Sequence, residues 1–149
     1  MNTVRTAVIG TGYLGKYHVD KFATLPHSTL IAICDIDSEH TQELSEKYKI
    51  KATDDYHSLI GQVDAVSIAT PTTSHFEIAQ FFLKNGVHVF IEKPITTTLQ
   101  EANTLVALAE KNNLIIQVGH IERFNPAFKY IAPLVHHSCY IEAQRLTSF

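Results

Sequence analysis

The chain has 149 residues, 45% of them hydrophobic and 18% charged, with a formal net charge of −3. That length suits one globular domain with a real core, and the slightly acidic balance excludes the positive footprint expected of a nucleic-acid or anionic-membrane binder. No window approaches roughly eighteen unbroken apolar residues, which excludes a transmembrane helix.

The first residues lead into a strand and a glycine turn rather than a basic-then-apolar leader, so a cytoplasmic protein without a signal peptide is expected. Val4 to Ile9 reads as that strand, and Gly10-Thr11-Gly12-Tyr13-Leu14-Gly15 follows at once. A helix over Tyr13 to Thr24 comes next, with Leu14, Tyr17, His18, Lys21 and Phe22 along one mixed face and Pro26 closing it. G-x-G-x-x-G between a strand and a helix is the dinucleotide fingerprint. Gly10 permits the tight turn, Gly12 lets a pyrophosphate approach the backbone, and Gly15 lets the helix pack on its strand. The helix N-terminus offers free N–H groups to the phosphates. Gly10, Gly15 and Lys16 also match the start of a P-loop, but Tyr17 stands where a Mg²⁺-binding Ser or Thr is required, which sets that reading aside. A methyltransferase shares the glycine turn and the acid after the second strand, and stays open at this point.

The second strand, Leu30 to Cys34, ends in Asp35. A carboxylate at this tip accepts hydrogen bonds from both ribose hydroxyls of NAD and repels the 2′-phosphate of NADP. Ile36, Asp37, Ser38 and Glu39 follow and supply no cation, so NAD is expected over NADP. Ser38 caps a polar helix to Tyr48, Ile50 to Thr53 forms a short edge strand, and Tyr56 to Ile60 forms one helical turn. Val63 to Ala69 reads as a buried strand stopped by Thr70-Pro71. Thr73 or Ser74 then caps a helix with Phe76, Ala79, Phe82 and Leu83 on one face, ended by Asn85-Gly86. Val87 to Ile91 is the next strand, with Glu92-Lys93-Pro94 at its carboxyl end. Thr98 caps a helix to Lys111 that turns Leu99, Ala102, Leu105, Val106 and Ala109 to the core. Leu114 to Gly119 is a further strand, followed by the turn His120 to Asn125 and a helix from Pro126 to about Val135. Ile141 to Phe149 alternates as the start of another strand.

Strand and helix alternate throughout, which predicts an α/β Rossmann fold: a doubly wound parallel sheet with helices on both faces. Residues 1–140 form the dinucleotide-binding domain in this reading and 141–149 begin another. Ligands of such sheets sit beyond the carboxyl ends of the strands. That rule selects Gly10 to Gly15, Asp35, Ala69 to Thr72, Glu92 to Pro94 and Gly119 to Asn125. The nine histidines show no zinc-ligand spacing and no metal is expected; Cys34 and Cys139 form no C-x-x-C and read as free thiols of a reducing compartment.

Taken together, Gly10 to Gly15, Asp35, Ala69-Thr70-Pro71 with His75, Glu92-Lys93-Pro94, and Gly119-His120 through Arg123-Phe124-Asn125-Pro126 resemble the glucose–fructose oxidoreductase/inositol dehydrogenase (Gfo/Idh/MocA) family. The match corresponds to that family's N-terminal cofactor domain, and the Glu-Lys-Pro triplet disfavours the methyltransferase. The stretch from Gly119 to Pro126 looks most like the branch of UDP-N-acetylglucosamine 3-dehydrogenases.

The resemblance implies an NAD-dependent oxidoreductase that moves hydride between nicotinamide and a hydroxyl carbon of a sugar or nucleotide sugar. It implies Lys93 as the catalytic residue, whose ammonium polarises or helps deprotonate that hydroxyl when buried. Cofactor contacts fall on Gly10, Thr11, Gly12, Tyr13, Leu14, Gly15, Asp35, Ile36, Ala69, Thr70, Pro71, Glu92, Lys93 and Pro94. Glu92 accepts from a ribose hydroxyl or orients Lys93, and Lys93-Pro94 is a candidate cis peptide. His75 is equally a first-turn helix residue. His120, Arg123 and Asn125 contact nicotinamide or substrate, or else tie down their turn. Family members continue into a second, substrate-binding domain and form homo-oligomers. Ending at Phe149, this chain reads as a truncated form, inactive alone; the alternative is a non-catalytic NAD-binding module or regulatory fragment.

Overall fold

A computed structural model describes residues 3–135 and, beyond them, residues 140, 142, 144 and 146. The chain divides into two compact units, residues 1–119 and 120–149. The expected strand over Ile141 to Phe149 lies largely outside the described residues.

The first unit is a six-stranded, wholly parallel sheet. Its strands are β1 (Val4–Ile9), β2 (Ser28–Cys34), β3 (Lys51–Thr53), β4 (Ala65–Ile68), β5 (His88–Ile91) and β6 (Ile116–Val118). Their order, β3-β2-β1-β4-β5-β6, reverses direction between β1 and β4, which is the switch point where such sheets bind ligands. The helices are α1 (Gly15–Thr24), α2 (Ser38–Tyr48), α3 (Thr72–Lys84) and α4 (Leu99–Lys111). Among the described residues no helix is long and apolar enough to cross a membrane.

Alternation along the strands divides the core between the two faces. Ala7 and Ile9 join Val66, Ile68, Val89, Ile91 and the α3 and α4 residues Phe82, Leu83, Leu105 and Ala109. Val8 points the other way and packs with Val19 of α1 and Leu44 of α2. In β2 a register shift opposite Thr6 and Ala7 leaves Ile31 as an extra residue. The bulge flips the phase. Leu30 therefore faces α1 and α2, while Ala32 and Cys34 face α3 and α4.

Several local expectations shift. α1 starts at Gly15 and buries Gly15 and Val19, leaving Leu14 and Tyr17 exposed. A helix that presses its first glycine against the preceding turn must rotate its apolar stripe to the fourth residue on. Neither Thr73 nor Ser74 caps α3. Pro71 precedes its first turn as N-cap with φ −57°, and Ser74 Oγ donates back to the Pro71 carbonyl at 2.8 Å. In α4 the Thr98–Glu101 capping box is present, but only Leu105 and Ala109 are buried; Leu99 and Val106 are exposed.

The second unit contains a 3₁₀ turn at Ile121–Phe124, helix α5 (Pro126–Ile131) and a 3₁₀ turn at Ala132–Leu134. The expected helix to Val135 changes form at Pro133, which lacks the N–H that an α-turn needs there.

Candidate functional site

Register levels the carboxyl ends of the strands. Ile9 pairs with Cys34 and with Ile68, Ile68 with Ile91, and Ile91 with Val118, while Cys34 pairs with Thr53. The next residues, Asp54, Asp35, Gly10, Ala69, Glu92 and Gly119, therefore leave the sheet in one row. Most are tied to it: Gly10 N–H donates to Cys34 O at 2.8 Å, Asp35 N–H to Thr53 O at 3.1 Å, and Ala69 N–H to Ile9 O at 2.8 Å. Glu92 N–H donates to Ile68 O at 2.9 Å and Gly119 N–H to Ile91 O at 2.8 Å.

The glycine turn is built by crowding on two sides and space on the third. Gly10 has φ +87°, and a Cβ there would sit 2.7 Å from Thr70 N. A Cβ on Gly15 would overlap the Gly10 carbonyl oxygen, whereas one on Gly12 would meet nothing within 4 Å. Gly12 thus borders open room. α1 has no side-chain cap and no acid in its first turn, so its leading N–H groups and positive dipole end suit an anion there.

Beyond Gly10 and Gly12 opens a cleft of about 690 Å³, walled by Asp35, Ile36, Ala69, Thr70 and Pro71 from the expected set. Asp37, Asp54, Tyr56 and Glu77 also line it and were not anticipated. Among the described lining residues there are four carboxylates and no Lys, Arg or His. A signal for Asp54 was present: it follows β3 as Asp35 follows β2.

Asp35 ties two loops together. Its Oδ2 accepts from Thr11 N–H at 2.6 Å and Thr11 Oγ1 at 3.1 Å, and its Oδ1 accepts from Asp37 N–H at 3.1 Å. Thr11 is fully buried, so it serves this tie rather than the cleft wall. An ionised carboxylate has about four acceptor sites, which leaves capacity for a ribose hydroxyl. Burial pushes the Asp35 pKa up, but these N–H and O–H bonds outweigh it and hold the carboxyl below its ordinary value. The bonds to the ionised form are therefore complete above about pH 4 and fade as pH falls through the lower folded-state value. In chemical denaturation, the stability advantage of the natural protein over Asp35→Asn is expected to be full at pH 7 and to shrink toward pH 3. An advantage that does not change with pH would contradict the ionised tie. Beside Asp35, burial raises the Cys34 thiol to about 12, so it stays protonated and unreactive.

Glu92 is buried at the end of β5, where its Oε2 accepts from Lys93 N–H at 3.1 Å. His18 Nε2 lies 3.1 Å from Glu92 Oε1, and its Nδ1 lies 2.7 Å from Ser67 Oγ. This repeats the Ser–His–carboxylate order of nucleophilic enzymes, but Ser67 is 1% exposed and no substrate reaches it. Lys93 is exposed, so this unit does not supply the burial expected of it. The Lys93-Pro94 peptide is cis. His75, only 1% exposed, is far from an ordinary first-turn residue: its ring nitrogens lie 3.0 Å from Pro94 O and 2.9 Å from Thr70 O.

Tyr13 and Leu14 are exposed and do not line the cleft, and Gly15 is buried behind the turn. In the second unit, Arg123 N–H donates to His120 O at 3.0 Å, and Asn125 caps α5 by accepting from Ala127 N–H at 2.9 Å. Among the described residues no cluster of His, Cys, Asp or Glu has the makings of a metal site.

A family model described as an oxidoreductase family with an NAD-binding Rossmann fold, GFO_IDH_MocA, matches residues 4–120. The chain belongs to the Gfo/Idh/MocA oxidoreductase family. Among Gfo/Idh/MocA-like relatives, the UDP-N-acetylglucosamine 3-dehydrogenase of Acidithiobacillus ferrooxidans is 38% identical over 152 residues, or 98% of this chain and 46% of that protein. Its solved structure matches with a TM-score of 0.83 over 91% of this chain and 44% of its own. The scyllo-inositol 2-dehydrogenase (NAD(+)) of Bacillus subtilis is 33% identical over 84% of this chain and 38% of its own length. A scyllo-inositol dehydrogenase of Lactobacillus casei, solved with bound NAD(H) and scyllo-inositol, is 27% identical with a TM-score of 0.84, over 90% of this chain and 41% of its own. The chain therefore spans less than half the length of these relatives. The sheet order, the glycine turn and the comparisons agree on an NAD-binding Rossmann fold.

Proposed function

We propose that this chain is the cofactor-holding part of an NAD-dependent dehydrogenase acting at a hydroxyl carbon of a sugar or nucleotide sugar. The cleft's four carboxylates, next to the open room at Gly12, are the observation that carries it. The residues present fit NAD: the α1 N-terminus and Gly12 meet a pyrophosphate, and Asp35 with its acidic neighbours accepts ribose hydroxyls while repelling a 2′-phosphate. Bound there, NAD supplies the hydride acceptor or donor. Lys93, just past the carboxyl end of β5, holds or takes up a hydroxyl proton, and Glu92 orients it by binding its backbone N–H. His120 and Arg123 are proposed to face substrate, whereas Asn125 has the structural duty of a helix cap.

The substrate class is supported by the two kinds of relative above, which act on a nucleotide sugar and on an inositol by name. We read the protein as cytoplasmic, in keeping with its free, buried Cys34, and as part of a homo-oligomer. Residues 1–140 are the cofactor domain in this reading, with 141–149 leading into substrate-binding structure. Because Lys93 is exposed in this unit, a second reading is favoured for the chain taken alone: a module that binds NAD(H) with little turnover.

Fluorescence titration with NADH and NADPH tests the proposal. Saturable NADH binding that outcompetes NADPH is expected; tighter NADPH binding would refute the role of the acids, and binding of neither would refute the function. Asp35→Ser is expected to cut NADH affinity roughly ten- to hundredfold, the worth of hydrogen bonds to a charged acceptor. NADPH should not rise to match, because Asp37, Asp54 and Glu77 still repel its phosphate. Unchanged selectivity would remove Asp35 from the ribose.

A further inference from the structure

We infer that His18 is a positioning residue for the Glu92–Lys93 segment, an inference that rests on the proposed role of Lys93 beside the nicotinamide. The segment has two flanks. After Lys93, the Pro94 carbonyl is met by His75 of α3, which spans to the Thr70 carbonyl in the cleft wall. Before Lys93, the Glu92 carboxylate holds the Lys93 N–H, and the side chain that holds Glu92 is His18, reaching from α1 on the opposite face of the sheet.

The carboxylate has little freedom otherwise. A Cβ on Gly119 would come within 3.0 Å of Glu92 Oε1, so the next strand closes it from one side without offering a donor. His18 is itself pinned: Ser67 Oγ holds Nδ1, which aims Nε2 at Glu92. Both partners are largely buried, with side chains 14% and 10% exposed, so the bond is sheltered from competition by water. The chain Ser67–His18–Glu92–Lys93 N–H therefore sets where the Lys93 backbone leaves β5, and with it where the ammonium stem begins. His18 touches neither cofactor nor substrate in this scheme.

The test uses the chain as it stands, with two readouts. By amide hydrogen exchange, Lys93 N–H is expected to be protected, and His18→Leu to speed its exchange roughly ten- to hundredfold, as loss of a charge-assisted bond implies. His18→Gln, which keeps a donor toward Glu92, should recover most of that protection. By titration, His18→Leu should lose the NADH fluorescence change that reports the nicotinamide while keeping its affinity for ADP-ribose, which has no nicotinamide. A merely structural role would instead weaken both ligands together and speed amides across the whole sheet. An unprotected Lys93 amide in the natural protein, or no acceleration in His18→Leu, overturns the inference. If His18→Leu does not fold, Gly119→Ala displaces the same carboxylate from the other side and must accelerate the same amide. Failure of the natural protein to bind NADH overturns the proposed function, while the exchange readout still decides on His18.

Discussion

Gly15→Ala is expected to destabilise the chain by about 3 kcal/mol or more and to abolish NADH binding. The new Cβ would overlap the carbonyl oxygen of Gly10 and lie 2.7 Å from its carbon. Overpacking against side chains costs about 1–3 kcal/mol because side chains can turn aside; here the obstacle is the Gly10 backbone carbonyl, which cannot. α1 would have to lift off β1 and take the phosphate-facing N–H groups with it. Gly12→Ala is the matched control. Its Cβ meets nothing, so stability should stay within about 0.5 kcal/mol of the natural protein, as for an unconstrained surface change. Binding should still fall sharply, because that room is where the pyrophosphate approaches. Denaturant melts and NADH titrations of the two variants separate the cases. Natural stability in Gly15→Ala would mean that the turn relaxes, and natural affinity in Gly12→Ala would move the pyrophosphate elsewhere.

Phe82→Ala is expected to cost about 3–5 kcal/mol, the range for emptying a buried phenylalanine site. Phe82 is fully buried among the α3, β4 and β5 residues. Against a total stability of about 5–15 kcal/mol for a domain, that is a large share. The effect should also reach the site. Phe82 packs at 5.5 Å from Phe81 and 6.0 Å from Tyr56, centroid to centroid, and Tyr56 lines the acidic cleft. A cavity behind Tyr56 should loosen that wall, so NADH affinity measured well below the melting temperature should drop as well. A loss under about 1 kcal/mol would place Phe82 outside the cooperative core. A loss of stability with unchanged affinity would uncouple the core from the cleft.

Much of the fold was readable because the deciding physics is short-ranged. The turn at Gly10 needs a positive φ that a glycine supplies. The start of α4 needs a Thr and a Glu three apart, and Thr98 with Glu101 forms that box. The clustering of unusual residues after strand ends was visible as soon as the strands were. Helix faces were read less well. Of the face read for α1, Phe22 does pack on the core, but Leu14 and Tyr17 are exposed and Val19 is buried instead, because the orientation of α1 is set by contact between Gly15 and Gly10 rather than by its own pattern. Leu99 and Val106 failed as core residues for a like reason: which side of α4 meets α3 and β6 is decided by the sheet's order.

By itself the sequence determined the alternating α/β plan, the glycine turn, the acid at the second strand's tip and the family to which the chain belongs. Each rests on residues close together in the chain, where backbone geometry and hydrogen bonding leave few choices. Only the tertiary structure decided which distant groups share a site. Parallel register brings Asp54 level with Asp35 and Glu92 level with Gly119. The bulge at Ile31 sets which face each residue of β2 serves. His18 meets Glu92 across 74 positions of sequence, and His75 meets Pro94 across 19. No periodicity records such pairs, because they arise where separate crossovers return the chain to the same edge of one sheet.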